Sequence, residues 1–365
     1  IFAGWYSRVM LNKQKGNFYI NAAIGASSPN FDHNDLGFQW TADKINGHVV
    51  AGYRWFESDG IFRRKIIYAA HFESYDFEGD IINNGFMMFS HFEFENYFNI
   101  GFDAGYYPGT ISKTLTRGGP KALTPNSYFF RADAFTDRRE DYVIRFGASA
   151  EGNDIGGNEY DLEIDFQWKP LPQIDFSIGP EFEKNLSIMQ WVTDVEDVRA
   201  VKTYGKRYVL AEMEQKTISA NIRLNWTFSP KLSLQLFVQP LISVGSYNNF
   251  KELDKPRTLD YNYYGDNNST ITYDAEDSEY TVDPDGSGES NFTFENPDFN
   301  YKAFRANLVF RYEVFPGSTF YFVWTNDRAN YENQGHLNLG NDFSNLWKAE
   351  TDNVFLLKFT YWIDM

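Results

Sequence analysis

Carboxylates at every second position are the first chemistry this sequence offers. Asp161, Glu163 and Asp165 alternate with Tyr160, Leu162, Ile164, Phe166 and Trp168, and Asp175, Glu181 and Glu183 share a phase opposite to Ile174, Phe176, Ile178, Pro180 and Phe182. Successive side chains of a strand point to opposite sides, so two neighbouring strands would each carry an acidic face and an apolar face. Arg145, Arg223, Arg305, Arg311 and Lys358 fall on the polar phase of other segments. Facing one another across an interior, these charges would either set a transverse field in a pore or make a salt-bridged wall that keeps the interior rigid.

A second group is Asp283-Pro284-Asp285-Gly286-Ser287-Gly288-Glu289. Asp283, Asp285, Ser287 and Glu289 place oxygen ligands at alternate positions, with Gly286 where a Ca²⁺ loop turns sharply. The twelfth position, where such a loop has its bidentate acid, is Phe294, with Glu295 beside it. The plain alternative is a flexible acidic turn, and no other cofactor is expected. Five histidines, His33, His48, His71, His91 and His336, lack metal-ligand spacing. His71 and His91 are expected on the inward face with Glu73 and Glu93. A hydrolase would need a serine, a histidine and an orienting acid within reach. No spacing selects such a trio, so no catalytic residue is assigned.

The elements that must hold these residues read as strands. From Gln215 to Val244 the alternation is almost unbroken: Ile218, Ala220, Ile222, Leu224, Trp226 and Phe228, then Leu232, Leu234, Leu236, Val238, Pro240 and Ile242 after Ser229-Pro230-Lys231. That is a hairpin with one apolar and one polar face. Each arm is longer than an ordinary strand of about five or six residues and fits a tilted strand crossing a bilayer. Similar pairs recur along the chain, about fifteen strands in all, including Phe2 to Asn12, Asn17 to Ala26, Phe86 to Phe94 and the C-terminal arm around Phe355 to Ile363. The stretch 248–301 breaks the rhythm and reads as one long excursion. Every other connection is short and those between are long, the asymmetry of outer-membrane barrels with tight periplasmic turns.

Unpaired buried charge costs several kcal/mol, so the acidic strand faces exclude a sandwich core. Mean hydropathy is −0.49, a low value that a barrel shares because it has a polar residue for each apolar one. The 35 Phe, 24 Tyr and 9 Trp suit a lipid-facing band with aromatic girdles. No apolar run reaches about eighteen residues, the length of a transmembrane helix. There is no cysteine, hence no disulfide framework or thiolate metal site. A net charge of −17 speaks against nucleic acid as partner. Residue 1 is Ile, and the numbered chain is read as a processed or truncated product.

Several segments carry a family resemblance: Asn34-Asp35-Leu36-Gly37-Phe38, Arg117-Gly118-Gly119-Pro120, Gln215-Lys216-Thr217, Leu234 to Ser246, Asn296-Pro297-Asp298-Phe299-Asn300, Pro316-Gly317-Ser318 through Val323-Trp324-Thr325, and Leu356 to Trp362. Together they resemble the C-terminal region of large Bacteroidota outer-membrane proteins, in which a family-nine carbohydrate-binding-like domain precedes a barrel domain of unknown function. The resemblance implies a periplasmic domain and further strands upstream of Ile1. It carries no catalytic residues. Its members usually end on an aromatic after the Tyr-Trp pair, where this chain has Ile363-Asp364-Met365.

The reading is therefore an all-β, antiparallel, transmembrane outer-membrane barrel with about 14–16 strands over residues 1–365, short periplasmic turns and long extracellular loops. Its expected role is a non-enzymatic, porin-like pore or a scaffold subunit of a cell-envelope assembly, linked to glycan handling. The alternatives are an outer-membrane hydrolase acting on lipid or glycan and a soluble carbohydrate-binding protein. Expected partners are outer-membrane lipids, lipopolysaccharide and other outer-membrane or periplasmic proteins.

Overall fold

The computed structural model describes residues 4–39 and 41–363; the expected strand start at Phe2 and the ending Asp364-Met365 lie outside the described residues. The alternating segments form antiparallel hairpins in chain order. They are β1 (Tyr6–Lys13), β2 (Phe18–Ser27), β3 (Lys44–Trp55), β4 (Phe62–Tyr75), β5 (Ile81–Phe94) and β6 (Asn99–Tyr107). A two-strand clip, β7 (Ile111–Ser112) with β8 (Ala122–Leu123), decorates the next loop. There follow β9 (Ser127–Phe135), β10 (Tyr142–Asn153), β11 (Asn158–Leu171), β12 (Ile174–Glu196), β13 (Lys206–Ser229) and β14 (Leu232–Leu253). The excursion holds β15 (Tyr261–Tyr263), β16 (Thr270–Asp274), β17 (Glu279–Asp283) and β18 (Phe292–Glu295). The chain ends with β19 (Phe299–Phe315), β20 (Ser318–Glu332), α1 (Leu339–Lys348) and β21 (Thr351–Thr360).

These make one 16-stranded sheet in which fifteen strands follow one path from β1 to β21 and β15 is appended to β14. Expected strand number and antiparallel pairing both hold. Closure does not occur within these residues, because β1 and β21 stand at the two ends of the path. The turn asymmetry holds on one side only. Connections such as 172–173, 230–231 and 316–317 are tight, and Gly317 takes a φ of 77° at the last of them, a region that favours glycine. On the other rim, 28–43, 108–126, 254–298 and 333–350 are long, but 76–80 and 154–157 are short.

Away from the loop rim, the apolar face of the sheet is largely open. Phe86, Met88, Phe130, Leu162, Ile164, Phe355 and Leu357 are each about half exposed or more, on the face opposite the charged residues. The buried apolar core lies instead at the loop rim. β12, β13 and β14, with 23, 24 and 22 residues, run far past their neighbours. On their extended ends Val209, Ala211 and Phe250 pack with Tyr264, Val282, Phe292 and Phe294 of the excursion. The stretch expected to be one long excursion carries its own three-stranded sheet, β16-β17-β18. Arg207 is buried there, donating to Asp197 at 2.6 Å and to Glu252 at 2.7 Å, and the Tyr264 hydroxyl donates to Glu252 at 3.2 Å.

The last loop folds into α1, capped by Asn338, whose side chain accepts from the Asn341 amide at 3.3 Å. Its Trp347 packs on Phe304, with ring centroids 5.0 Å apart. Beneath it, fully buried Lys302 pairs with Glu332 at 3.2 Å and Asp342 at 3.8 Å.

Candidate functional site

Residues directly opposite in an antiparallel ladder share a face, so the register decides which charges stand together. Arg64, Glu93, Asn99, Phe135, Arg145 and Asp165 are successive direct partners from β4 to β11. A neighbouring row runs His91, Gly101, Asp133, Gly147, Glu163, Glu181 and Ser219. A third links Asp103, Arg131, Ser149, Asp161, Glu183 and Thr217. Along the same face, Asp175 opposes Asn225, Arg223 opposes Ser177, Arg305 opposes Gln239 and Arg311 opposes Ser233. Lys358 opposes Tyr321, itself the partner of Arg311. All eleven charged candidates therefore occupy one face.

Within that face the charges segregate. Arg145 reaches Glu163 at 3.5 Å and Asp165 at 3.2 Å, and Asp175 meets Lys169 at 3.5 Å. The other bases find partners elsewhere: Arg305 with Asp327 at 3.3 Å, Arg311 with Glu313 at 3.5 Å, Arg223 over the Phe237 ring at 4.9 Å and Lys358 6.0 Å from the Tyr321 ring. Asp161 directly opposes Glu183, and Glu163 directly opposes Glu181. Like charges in direct opposition destabilise a sheet, and this wall of β11 and β12 carries a net negative charge.

The histidine expectation needs a correction. His91 and Glu93 lie on the charged face, but His71 and Glu73 lie on the opposite one, partnered by Val49 and Gly47 on β3. The His71 ring stacks on Phe86 at 4.4 Å. No His/Glu cluster across the two hairpins can form, since a sheet separates the pairs. Among the described residues no histidine ring shares a hydrogen bond with a serine hydroxyl, so no observation favours the hydrolase reading.

A group missed in the sequence lies at the loop rim. Lys121, in the loop 108–126, donates to Asp76 at 2.9 Å, Glu78 at 2.5 Å and Asp80 at 2.7 Å. Lys113 of the same loop pairs with Asp43 at 2.5 Å and Asp76 at 3.0 Å. From the excursion, Arg257 donates to Asp80 at 2.8 Å, and its amide donates to the Lys121 carbonyl at 2.8 Å. Four connections of this rim are thereby fastened to one another. Asp76, Glu78 and Asp80 have the geometry to hold a metal ion, and the cation among them is the Lys121 ammonium.

Burial pushes the Asp76 carboxyl up, but hydrogen bonds from Lys121, the Asp80 amide and Lys113 outweigh it and hold it well below the usual carboxylate range. Asp80 is lowered by Arg257 and Lys121. Lys121, pulled down by burial, ends above the usual lysine range because Asp80, Glu78 and Asp76 surround it. No local spacing announces this cluster, because Lys121 and Arg257 are 41 and 177 residues from Asp80.

Three of the four Ca²⁺ candidates, Asp285, Ser287 and Glu289, come together around a guanidinium. Asp283 accepts from the amides of Gly286 at 2.9 Å and Gly288 at 3.0 Å, and Asp285 accepts from the Ser287 amide at 3.0 Å. Arg199, from the β12–β13 loop, donates to Ser287 at 2.9 Å and pairs with Asp285 at 3.7 Å and with Glu289.

A search of curated proteins finds no match to the chain. A family described as a domain of unknown function, DUF5916, matches residues 2–275 and again 262–365. Over this span the chain belongs to that family.

Proposed function

We propose that the chain is a transmembrane β-barrel of a bacterial outer membrane, non-enzymatic and porin-like, whose charged face lines a cation-preferring lumen covered by loops at one rim. The observation that carries this reading is the two-faced sheet. One face gathers the eleven charged candidates; the other presents open aromatic and aliphatic side chains along most of its extent, covered by α1 only around Phe304 at the loop rim. Proteins in water rarely expose apolar patches beyond a few hundred Å², whereas lipid requires such a surface. All the main strands but β1 have at least the roughly nine residues that a tilted crossing needs, and the excess of β12–β14 projects outward to carry the excursion.

Strand direction sets a condition on closure. Along an antiparallel path of fifteen strands, β1 and β21 point the same way. Joining them directly would be a parallel pairing, so an all-antiparallel ring needs an odd number of further strands. A second copy in the same membrane orientation would bring β1 against β21, again parallel. Strands outside residues 1–365 complete the ring, in keeping with the Bacteroidota resemblance. Outer-membrane lipid and lipopolysaccharide cover the apolar face, and other envelope proteins, including those handling glycans, meet the loops.

Planar-bilayer recording of the purified barrel tests the pore. Discrete conductance steps with K⁺ favoured over Cl⁻ are expected from the acidic wall. A silent membrane refutes the pore and leaves the barrel as a scaffold subunit of an envelope assembly.

A further inference from the structure

At the short-turn end of the charged face, two cavities of about 460 Å³ and 350 Å³ share Phe135 and Arg138. The turn 136–141 explains how Arg138 is held. Asp137 takes up the neighbouring Arg139, accepting from its Nε at 2.9 Å and from its Nη2 at 2.5 Å. That fork-to-fork pair holds the Asp137 carboxyl at about 2, the Arg139 hydrogen bond being the largest cause. With Asp137 engaged, Arg138 lies over the Phe135 ring at 3.9 Å and, among the described residues, forms no ion pair with a carboxylate, the turn's other acids Glu140 and Asp141 included. Its neighbours differ: Arg64 has Glu93 at 3.8 Å, and Lys169 has Asp175 at 3.5 Å. His91 completes the surroundings, its ring 6.2 Å from Phe135.

We propose that Arg138 is the anchor of an oxyanion-binding site at the short-turn mouth, taking the carboxylate or phosphate group of a solute. The guanidinium is pre-oriented by its stack on Phe135, and its planar fork suits two oxygens of one anion. The two flanking cavities give room for the remainder of the solute on either side. Arg64, Arg139 and Lys169 stand nearby without competing for the same atoms, since each already has a carboxylate. Deeper in, the next cavity is lined by Asp103, Asp133, Asp161 and Glu163 against Arg131 and Arg145, and its excess of acids disfavours the anion there.

The site deepens the pore reading, but calorimetry in detergent reads it whether or not the barrel conducts. Inorganic phosphate and glucuronate are titrated separately into the folded chain, which separates phosphate from carboxylate recognition. Saturable heat with at least one of them is expected, weakening with added salt. Arg138→Gln should lower the affinity at least tenfold and Phe135→Leu severalfold, with circular dichroism unchanged in both. Arg8→Gln, on β1, should leave binding unchanged. Absence of saturable heat with both anions overturns the site. So does equal affinity in the Arg138→Gln protein.

Discussion

Replacing Lys121 by Met removes one ammonium from the loop rim while keeping the length of its stem. Asp76, whose side chain is fully buried, would retain Lys113 at 3.0 Å and its own links to the amides of Glu78 at 3.1 Å and Asp80 at 2.8 Å. Breaking a buried pair from one side typically costs 3–5 kcal/mol, and with Lys113 in place and Glu78 largely in solvent the expected loss is about 2 kcal/mol. That is roughly thirtyfold in the opening equilibrium of the loop. Hydrogen exchange reads it at two amides, Arg257 bonded to the Lys121 carbonyl and Thr124 bonded to the Thr110 carbonyl, each at 2.8 Å. Their protection should fall by about that factor while amides in the middle of β13 keep theirs. The pH dependence follows in sign. Asp76 and Asp80 are depressed, so their contribution is present above the usual carboxylate range and is lost as pH falls through and below it. Lys121 is raised, so its contribution is present below the usual lysine range and is lost only as pH rises beyond it. Unchanged protection at Arg257 and Thr124 in Lys121→Met would refute the latch. A uniform loss across all strands would refute its local character.

Three further outcomes follow from the same geometry. Changing Asp161→Asn, Glu163→Gln and Glu183→Gln together should bring the K⁺/Cl⁻ permeability ratio down roughly severalfold, read as a shift in reversal potential; an unchanged ratio would show that the β11–β12 wall does not face the ion path. Ile164→Lys, on the apolar face of β11, should destabilise the folded barrel by about 2–4 kcal/mol, the range for lysine near the bilayer midplane, whereas Gln167→Lys on the charged face should change it little; urea unfolding in lipid vesicles compares them, and equal effects would contradict the face assignment. We propose that Ca²⁺ at Asp283, Asp285, Ser287 and Glu289 competes with the Arg199 guanidinium, so Arg199→Gln should raise Ca²⁺ affinity in calorimetry; heats no greater than a chelator control in both proteins would remove the site.

Most of the sheet was legible because alternation is strict where one face is apolar. The hairpin at Gln215 to Val244 falls within β13 and β14, and Phe86 to Phe94 falls within β5. β4 shows where that signal fails. Ile66, Ile67, Tyr68, Ala69 and Ala70 are apolar in both phases, so the strand alone does not say which way His71 points. Its phase is set by pairing with β3 and β5, and a one-residue change of register turns every side chain over. The packing of the excursion was not legible for a different reason. Tyr264, Val282, Phe292 and Phe294 are isolated among Asp, Asn, Ser and Gly, and their packing partners Val209, Ala211 and Phe250 lie on another hairpin. The latch and the Arg199 contacts likewise join residues remote in sequence, which periodicity does not report.

The assignment of one face to lipid and the other to a water-filled interior is open to a direct measurement, because the chain has no cysteine of its own. Single cysteines placed in turn at 217 through 224 on β13, reconstituted in lipid vesicles, are labelled with a water-soluble maleimide and, as spin labels, tested for relaxation by oxygen dissolved in the bilayer. Positions 217, 219, 221 and 223 should react with the maleimide, and positions 218, 220, 222 and 224 should be the ones relaxed by oxygen, with a period of two. Equal reaction of both sets with the water-soluble reagent, or a chain that stays soluble without detergent, would contradict the membrane barrel.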